Sequence, residues 1–224
     1  MGIGLKEIPP LMSTLSEFEG KENISFCELG NNYLKGDEML EWLESQGYDF
    51  PIGGEQHTTG PYIVSKRFWT EIGFNHTSID LNGYDGSLRL DLREDISNGI
   101  VEPFDVVLNG GTGEHVDNQY MCFKNIHNIT RPGGLMIHCL PKVGTVPGHC
   151  QYYYTLESFK VLAELCKYET KELYEHDAAA DLMIYSTLQR KDNDFISEEE
   201  FKKVPIHFVE GHSNDKDLYP YAYK

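Results

Sequence analysis

The feature that most constrains this chain is an alternation. Short apolar runs end in an acid, an asparagine or a glycine, and stretches with helical spacing separate them. Ile24–Leu29 (ISFCEL) stops at Gly30. His76–Leu81 (HTSIDL) runs into Asn82-Gly83, and Ser87–Leu92 (SLRLDL) alternates apolar and polar residues. Phe104–Leu108 (FDVVL) opens into Asn109-Gly110-Gly111-Thr112-Gly113, and Leu135–Leu140 (LMIHCL) follows the turn Arg131-Pro132-Gly133-Gly134. Glu169–Tyr174 and Asp181–Leu188 close the series. Asp37–Gln46, Tyr62–Ile72, Asp117–Ile129 and Thr155–Cys166 space their apolar residues as helices do, with Thr155 at an N-cap position. Strands this short, apolar on both faces and interleaved with helices predict an α/β fold: a seven-stranded, mostly parallel sheet with helices on both faces. Residues 1–23 read as a lead-in broken by Pro9-Pro10, 24–190 as the core with an insertion at about 36–60, and 191–224 as a C-terminal helix and tail. An alternative within the core makes Asp37–Gln46 the normal first helix and Tyr62–Ile72 the addition.

Charge and cysteine usage narrow the partners. The net charge of −17 argues against nucleic acid, whose phosphates are met by clustered Lys and Arg. Cys27, Cys122, Cys139, Cys150 and Cys166 are odd in number, widely spaced and without a C-x-x-C pair, which reads as free thiols in a reducing compartment. No basic leader with an apolar run and no membrane-length apolar stretch is present, so the expectation is a cytoplasmic protein with no membrane partner. Asn193–Phe201 resembles half of a calcium loop, but the ligand positions fail. A capping box from Ser197 to Glu200 is the better reading.

In open parallel sheets ligands sit beyond the C-terminal strand ends. There this chain collects Glu28 and Gly30, Asp80, Asp91, and Asn109 to His115. Three carboxylates at successive strand ends are costly to gather without a ligand. The loop Glu28–Gly36 lacks the G-x-G-x-x-G of dinucleotide enzymes, and 50 positions separate Gly30 from Asp80 where that fingerprint expects an acid about 20 residues on.

CELGNN, SIDLNGYDGSLRLDL, FDVVLNGGTGEHV and RPGGLMIHCLP, in this order, resemble the motifs of class I S-adenosylmethionine-dependent methyltransferases over roughly residues 24–190. The resemblance implies a Rossmann-like class I methyltransferase fold and S-adenosyl-L-methionine as cofactor. It implies that Glu28, Gly30 and Asn31 flank the methionine moiety. Asp80 would hold the ribose with Leu81 against the adenine, Asp91 and Leu92 the adenine, and Asn109 and Gly110 the methionine end. The sequence departs from the family's glycine-rich loop at Asn31, Asn32 and Tyr33.

Methyl transfer from a sulfonium demands alignment above all, and a base only when the acceptor must lose a proton. His115 with Glu114 beside it is the first candidate and His149 the second; both sit after strand ends, and the bland alternative makes Glu114 and His115 caps of the helix that follows. His138, inside an apolar strand, reads as a core residue. No grouping of His, Cys and Asp has metal-ligand spacing, so the expected metal set is none. NGGT after Phe104–Leu108 stands where nucleobase-amine methyltransferases carry N/D-P-P-Y/F, and no Pro-Cys pair is present. The expected acceptor is therefore a small molecule, methylated at O or N, with Trp69 and Tyr152–Tyr154 as pocket walls or core. The tail with Tyr219, Tyr221 and Tyr223 wraps either this core or a second subunit as a homodimer contact. Two other readings remain open: a nucleotide-binding enzyme using NAD or a nucleotide sugar, and a degenerate methyltransferase fold that only binds.

Overall fold

A computed structural model describes residues 2–55, 60–145, 147–178 and 181–210. Strand β1 (Gly2–Ile3) precedes α1 (Ile8–Leu15), β2 (Ser25–Leu29), β3 (Tyr33–Lys35), α2 (Asp37–Ser45), β4 (Tyr62–Val64), α3 (Ser65–Glu71) and β5 (Asn75–Ile79). Then come β6 (Phe104–Gly110), α4 (Gln119–Ile129), β7 (Thr130–Pro141), β8 (Tyr152–Tyr153), α5 (Leu156–Leu165), β9 (Glu169–Ala178), β10 (Asp181–Gln189), α6 (Glu198–Phe201) and β11 (His207–Phe208). The main sheet has the order β5-β2-β6-β7-β10-β9; β5, β2, β6 and β7 run parallel, and the last two strands pair antiparallel.

The expected seventh strand, Ser87–Leu92, is reduced to one parallel bridge between Leu88 and Ile79 at the β5 edge. The sheet is thus six-stranded among the described residues. At the other edge β9 starts at Glu169 as expected but runs past Tyr174 to Ala178; its exposed Glu169, Lys171 and Glu175 blunt this edge strand against pairing with other chains.

Alternation along each strand sorts the core into two halves. Phe26, Val106, Leu108, Ile137 and Tyr185 face α1, α2 and α3, meeting Leu11, Leu15, Met39, Leu43, Phe68 and Trp69. Cys27, Leu29, Val107, Met136, Ile184 and Leu188 face α4 and α5, meeting Phe123, Ile126, Phe159 and Leu162. Helix α5 starts where the sequence placed its cap: Thr155 and Ser158 form a reciprocal box. Ser197 and Glu200 do the same at α6, which settles the calcium-loop resemblance.

Pro9-Pro10 does not break the lead-in. Both prolines lie in the first turn of α1, where their missing N–H groups have no intrahelical partner to lose. Tyr62–Val64 is likewise not the start of a helix. It pairs antiparallel with Tyr33–Lys35, which also takes Gly2–Ile3, and the three short strands form a small separate sheet at the edge of α2 and α3. The tyrosines of the tail, 219, 221 and 223, lie outside the described residues.

Candidate active site

The chain leaves β2 toward one side of the sheet and β6 toward the other, so the crevice between their C-terminal ends is the switch point of the strand order. Gly30 and Thr112 meet across it. Gly30 has φ +84° and donates to Ile79 O at 2.7 Å, and a Cβ there would lie 2.5 Å from Thr112 Oγ1. That hydroxyl donates to Leu29 O at 2.7 Å. Only a residue without a side chain satisfies both the backbone angle and the contact.

The acids occupy distinct environments. Glu28 shares the face of Phe26, so its carboxylate turns under α3 and away from the crevice. Ser65 Oγ donates to its Oε2 at 2.5 Å, Trp69 Nε1 to its Oε1 at 3.4 Å, and His76 Nε2 pairs with it at 3.1 Å, all fully buried. The place beside a methionine moiety that was expected of Glu28 is not offered by this geometry. Asp80 ties two loops together: Oδ2 accepts from Asn31 N at 2.7 Å and Oδ1 from Asn82 N at 2.9 Å. Asp91 is held by Arg93, whose Nε lies 2.9 and 3.0 Å from its two oxygens; hydrogen bonds from Arg93 lower its pKa. Leu81 is half-buried and Leu92 buried.

Asn31 Nδ2 donates to Asp85 at 2.8 Å. Asn32 was singled out in the sequence only as a lost glycine, yet it carries an informative atom. Its Nδ2 donates to Leu29 O at 3.1 Å, while its Oδ1 is buried with no hydrogen-bond partner among the described residues. Buried acceptors are seldom left so. Nothing in the sequence marked it beyond its place two residues after Gly30.

Across the crevice Asn109 is fully buried on the face shared with His138. Its Oδ1 accepts from Gly113 N at 2.8 Å, and a Cβ on Gly113 would come within 2.6 Å of its Nδ2. Gly110, half-buried, ends the strand. The turn Gly113–His115 is pinned from the other side by Gln119, whose Nε2 donates to Gly113 O and Val116 O, both at 2.7 Å, while Tyr154 OH donates to its Oε1 at 2.6 Å.

On this turn Glu114 and His115 are buried, and His149 from the loop after β7 reaches them. Glu114 Oε1 lies 3.9 Å from His115 Nε2 and 3.9 Å from His149 Nε2, and the two imidazoles meet edge to face at 4.9 Å. Burial, with His149 beside it, lowers the His115 pKa to about 3. The cap of α4 is Asn118, which accepts from Met121 N at 3.0 Å, so Glu114 and His115 do not serve that purpose. Trp69 and Tyr154 are fully buried and belong to the core, not to a pocket wall. All five cysteines are free and buried, and burial raises their thiols.

Sheet order defines a Rossmann-like α/β fold, with the crevice between β2 and β6 at its switch point. No protein-family model matches the sequence, and no curated protein does. Among solved structures the chain is similar to the 1,6-didemethyltoxoflavin-N1-methyltransferase of Burkholderia thailandensis, solved with 1,6-didemethyltoxoflavin and S-adenosylhomocysteine. The two share 13% identity over 82% of this chain and 77% of that one, with a TM-score of 0.51. It is also similar to the N-methyltransferase NodS of Bradyrhizobium japonicum, at 11% identity over 83% and 96% of the two chains and a TM-score of 0.47. The chain has the class I S-adenosylmethionine-dependent methyltransferase fold. No helix among the described residues is long and apolar enough to cross a membrane.

Proposed function

We propose that the protein is an S-adenosylmethionine-dependent methyltransferase that methylates an oxygen or nitrogen of a small molecule. The observation that carries this reading is the lining of the switch-point crevice. A bare backbone at Gly30, a buried acceptor without a partner at Asn32 Oδ1, and carboxylates at Asp80 and Asp91 lie around one edge of the sheet. This set suits a ligand bearing an ammonium, a ribose diol and an adenine amino group. It suits a pyrophosphate poorly, since anions repel carboxylates.

When bound, the cofactor supplies a methyl group on a sulfonium, open to in-line displacement. In the proposed arrangement Asn32 Oδ1 accepts from the ammonium, beside Gly30 and Asn31. Each oxygen of Asp80 already accepts one amide and keeps a lone pair for the ribose hydroxyls. Asp91 takes the adenine amino group in exchange for one of the hydrogen bonds that Arg93 now makes to both of its oxygens, with Leu81 and Leu92 as the apolar walls. Asn109 and Gly110 line the methionine end. Glu28 positions α3 and β5 without touching the ligand. Glu114, His115 and His149 face the acceptor at the end of β6. The overall charge of −17 favours a small acceptor over nucleic acid, and the five free thiols fit a cytoplasmic setting.

The test is calorimetric titration with S-adenosylmethionine, S-adenosylhomocysteine and NAD, on the wild type and on Asp80→Asn, with thermal melts to confirm that the variant folds. Binding of the sulfur compounds, weakened at least about tenfold (about 1.4 kcal/mol) by the substitution, is expected. Failure of both to bind, or binding of NAD in their place, would overturn the proposal.

A further inference from the structure

The turn after β6 and the loop after β7 bring together three side chains that the sequence keeps apart. Glu114 and His115 are neighbours, but His149 is 34 positions further on. One carboxylate oxygen and one nitrogen from each imidazole all lie within 4.8 Å of one another. Around a zinc ion, with bonds of about 2.0–2.2 Å, such atoms stand about 3.3–3.5 Å apart in a tetrahedral shell. The two separations from Glu114, both 3.9 Å, exceed that spacing by about half an ångström, which side-chain rotation can close.

A second observation points to a ligand. The His115 side chain is 3% exposed, and neither of its ring nitrogens has a hydrogen-bond partner among the described residues. A buried imidazole without hydrogen-bond partners gives up its hydration uncompensated, whereas coordination of one nitrogen would offset that loss. The support around the ligands is rigid: Gln119 holds both carbonyls flanking the turn, Tyr154 holds Gln119, and Asn109 holds Gly113. Metal-binding side chains need such an outer layer to stay in register. His149, with 40% of its side chain exposed, leaves a path from outside.

We propose that Glu114, His115 and His149 bind a single divalent transition-metal ion, with Zn²⁺ as the preferred species. Two imidazoles and one carboxylate are borderline donors that suit Zn²⁺ or Co²⁺ and disfavour Mg²⁺ and Ca²⁺, which prefer oxygen-only shells. Three protein ligands leave a fourth position for water or for a donor atom of a bound molecule. The site stands at the end of β6, beside the crevice, and does not depend on the methyltransferase reading.

The test uses the whole chain, stripped with chelator and titrated with Co²⁺ in the absence of any S-adenosyl compound. One equivalent bound, with the visible d–d absorption of a low-coordinate cobalt site, displaced by Zn²⁺ and not by millimolar Mg²⁺, is expected. His149→Ala, on the half-exposed ligand, and His115→Asn, in the turn, each weaken Co²⁺ binding at least tenfold, while the exposed His207→Ala leaves it unchanged. Circular dichroism confirms that each variant is folded. Absence of cobalt binding by the wild type, or binding that survives both ligand substitutions, overturns the proposal; either result leaves S-adenosylhomocysteine binding to be judged on its own titration.

Discussion

Replacing Gly30 by alanine tests the contact that closes the crevice. At φ +84° an alanine is held in the left-handed region, which costs about 1–2 kcal/mol. Its Cβ would also sit 2.5 Å from Thr112 Oγ1, so the threonine must rotate away and give up its bond to Leu29 O. Asn32 Nδ2 still donates to that carbonyl, so it is not orphaned and the lost bond costs about 1 kcal/mol. Gly30→Ala should therefore destabilise by about 2–3 kcal/mol, and Thr112→Ala alone by about 1 kcal/mol. In the double variant the hydroxyl is already gone and only the backbone strain is added. Its total should match Gly30→Ala, giving a coupling of about 1 kcal/mol. Urea unfolding of the four proteins, followed by circular dichroism, measures the cycle. Additivity within about 0.3 kcal/mol would refute the contact, because it would mean that the alanine is absorbed without moving Thr112.

Acid should weaken the fold partly through His138. It lies between Phe123 and Phe159, and burial lowers its pKa from 6.5 to about 3. Protonation thus favours the unfolded chain: the contribution is complete above pH 6.5 and is lost as the pH falls toward 3, with about 2 kcal/mol already lost at pH 5. His138→Leu should flatten the fall in urea midpoint between pH 7 and pH 5, and an unchanged slope would contradict the assignment. Gln119→Leu removes the group that holds Gly113 O, Val116 O and Tyr154 OH, all of them in the buried interior, and should cost about 2–4 kcal/mol in the same assay. A loss below about 1 kcal/mol would show that the turn holds itself.

The parallel strands and α4 to α6 were legible because each carries its own signal: an apolar run, a capping residue, a glycine or proline stop. Thr155 and Ser197 announced their helices, whereas Glu28 was assigned to the ligand although it shares the face of Phe26. What stayed hidden depends on partners distant in the chain. Tyr33–Lys35 is three residues long and becomes a strand only because Gly2–Ile3 and Tyr62–Val64 flank it. Ser87–Leu92 has the alternation of a strand but forms a single bridge, so pattern without a full partner did not produce one. At the site, Gly30, Asp80 and Asp91 were read from their positions after strands. The orphaned oxygen of Asn32 and the meeting of His149 with Glu114 and His115 follow from loop paths, which no local spacing encodes.

The tie between α1 and the β10–β9 edge of the sheet sets a schedule for the chain as it is made. Thr14 Oγ1 donates to Glu172 Oε2 at 2.6 Å and lies 2.9 Å from the hydroxyl of Tyr185, 171 positions downstream. At translation rates of about 5–20 residues per second, that interval lasts roughly 10–35 s. An eight-residue helix is too short to persist alone in water, so Ile8, Leu11 and Leu15 have only part of their final surroundings until β9 and β10 are synthesised. Helix α1 is thus locked in place only once β10 has been made, although it is synthesised some 171 positions earlier.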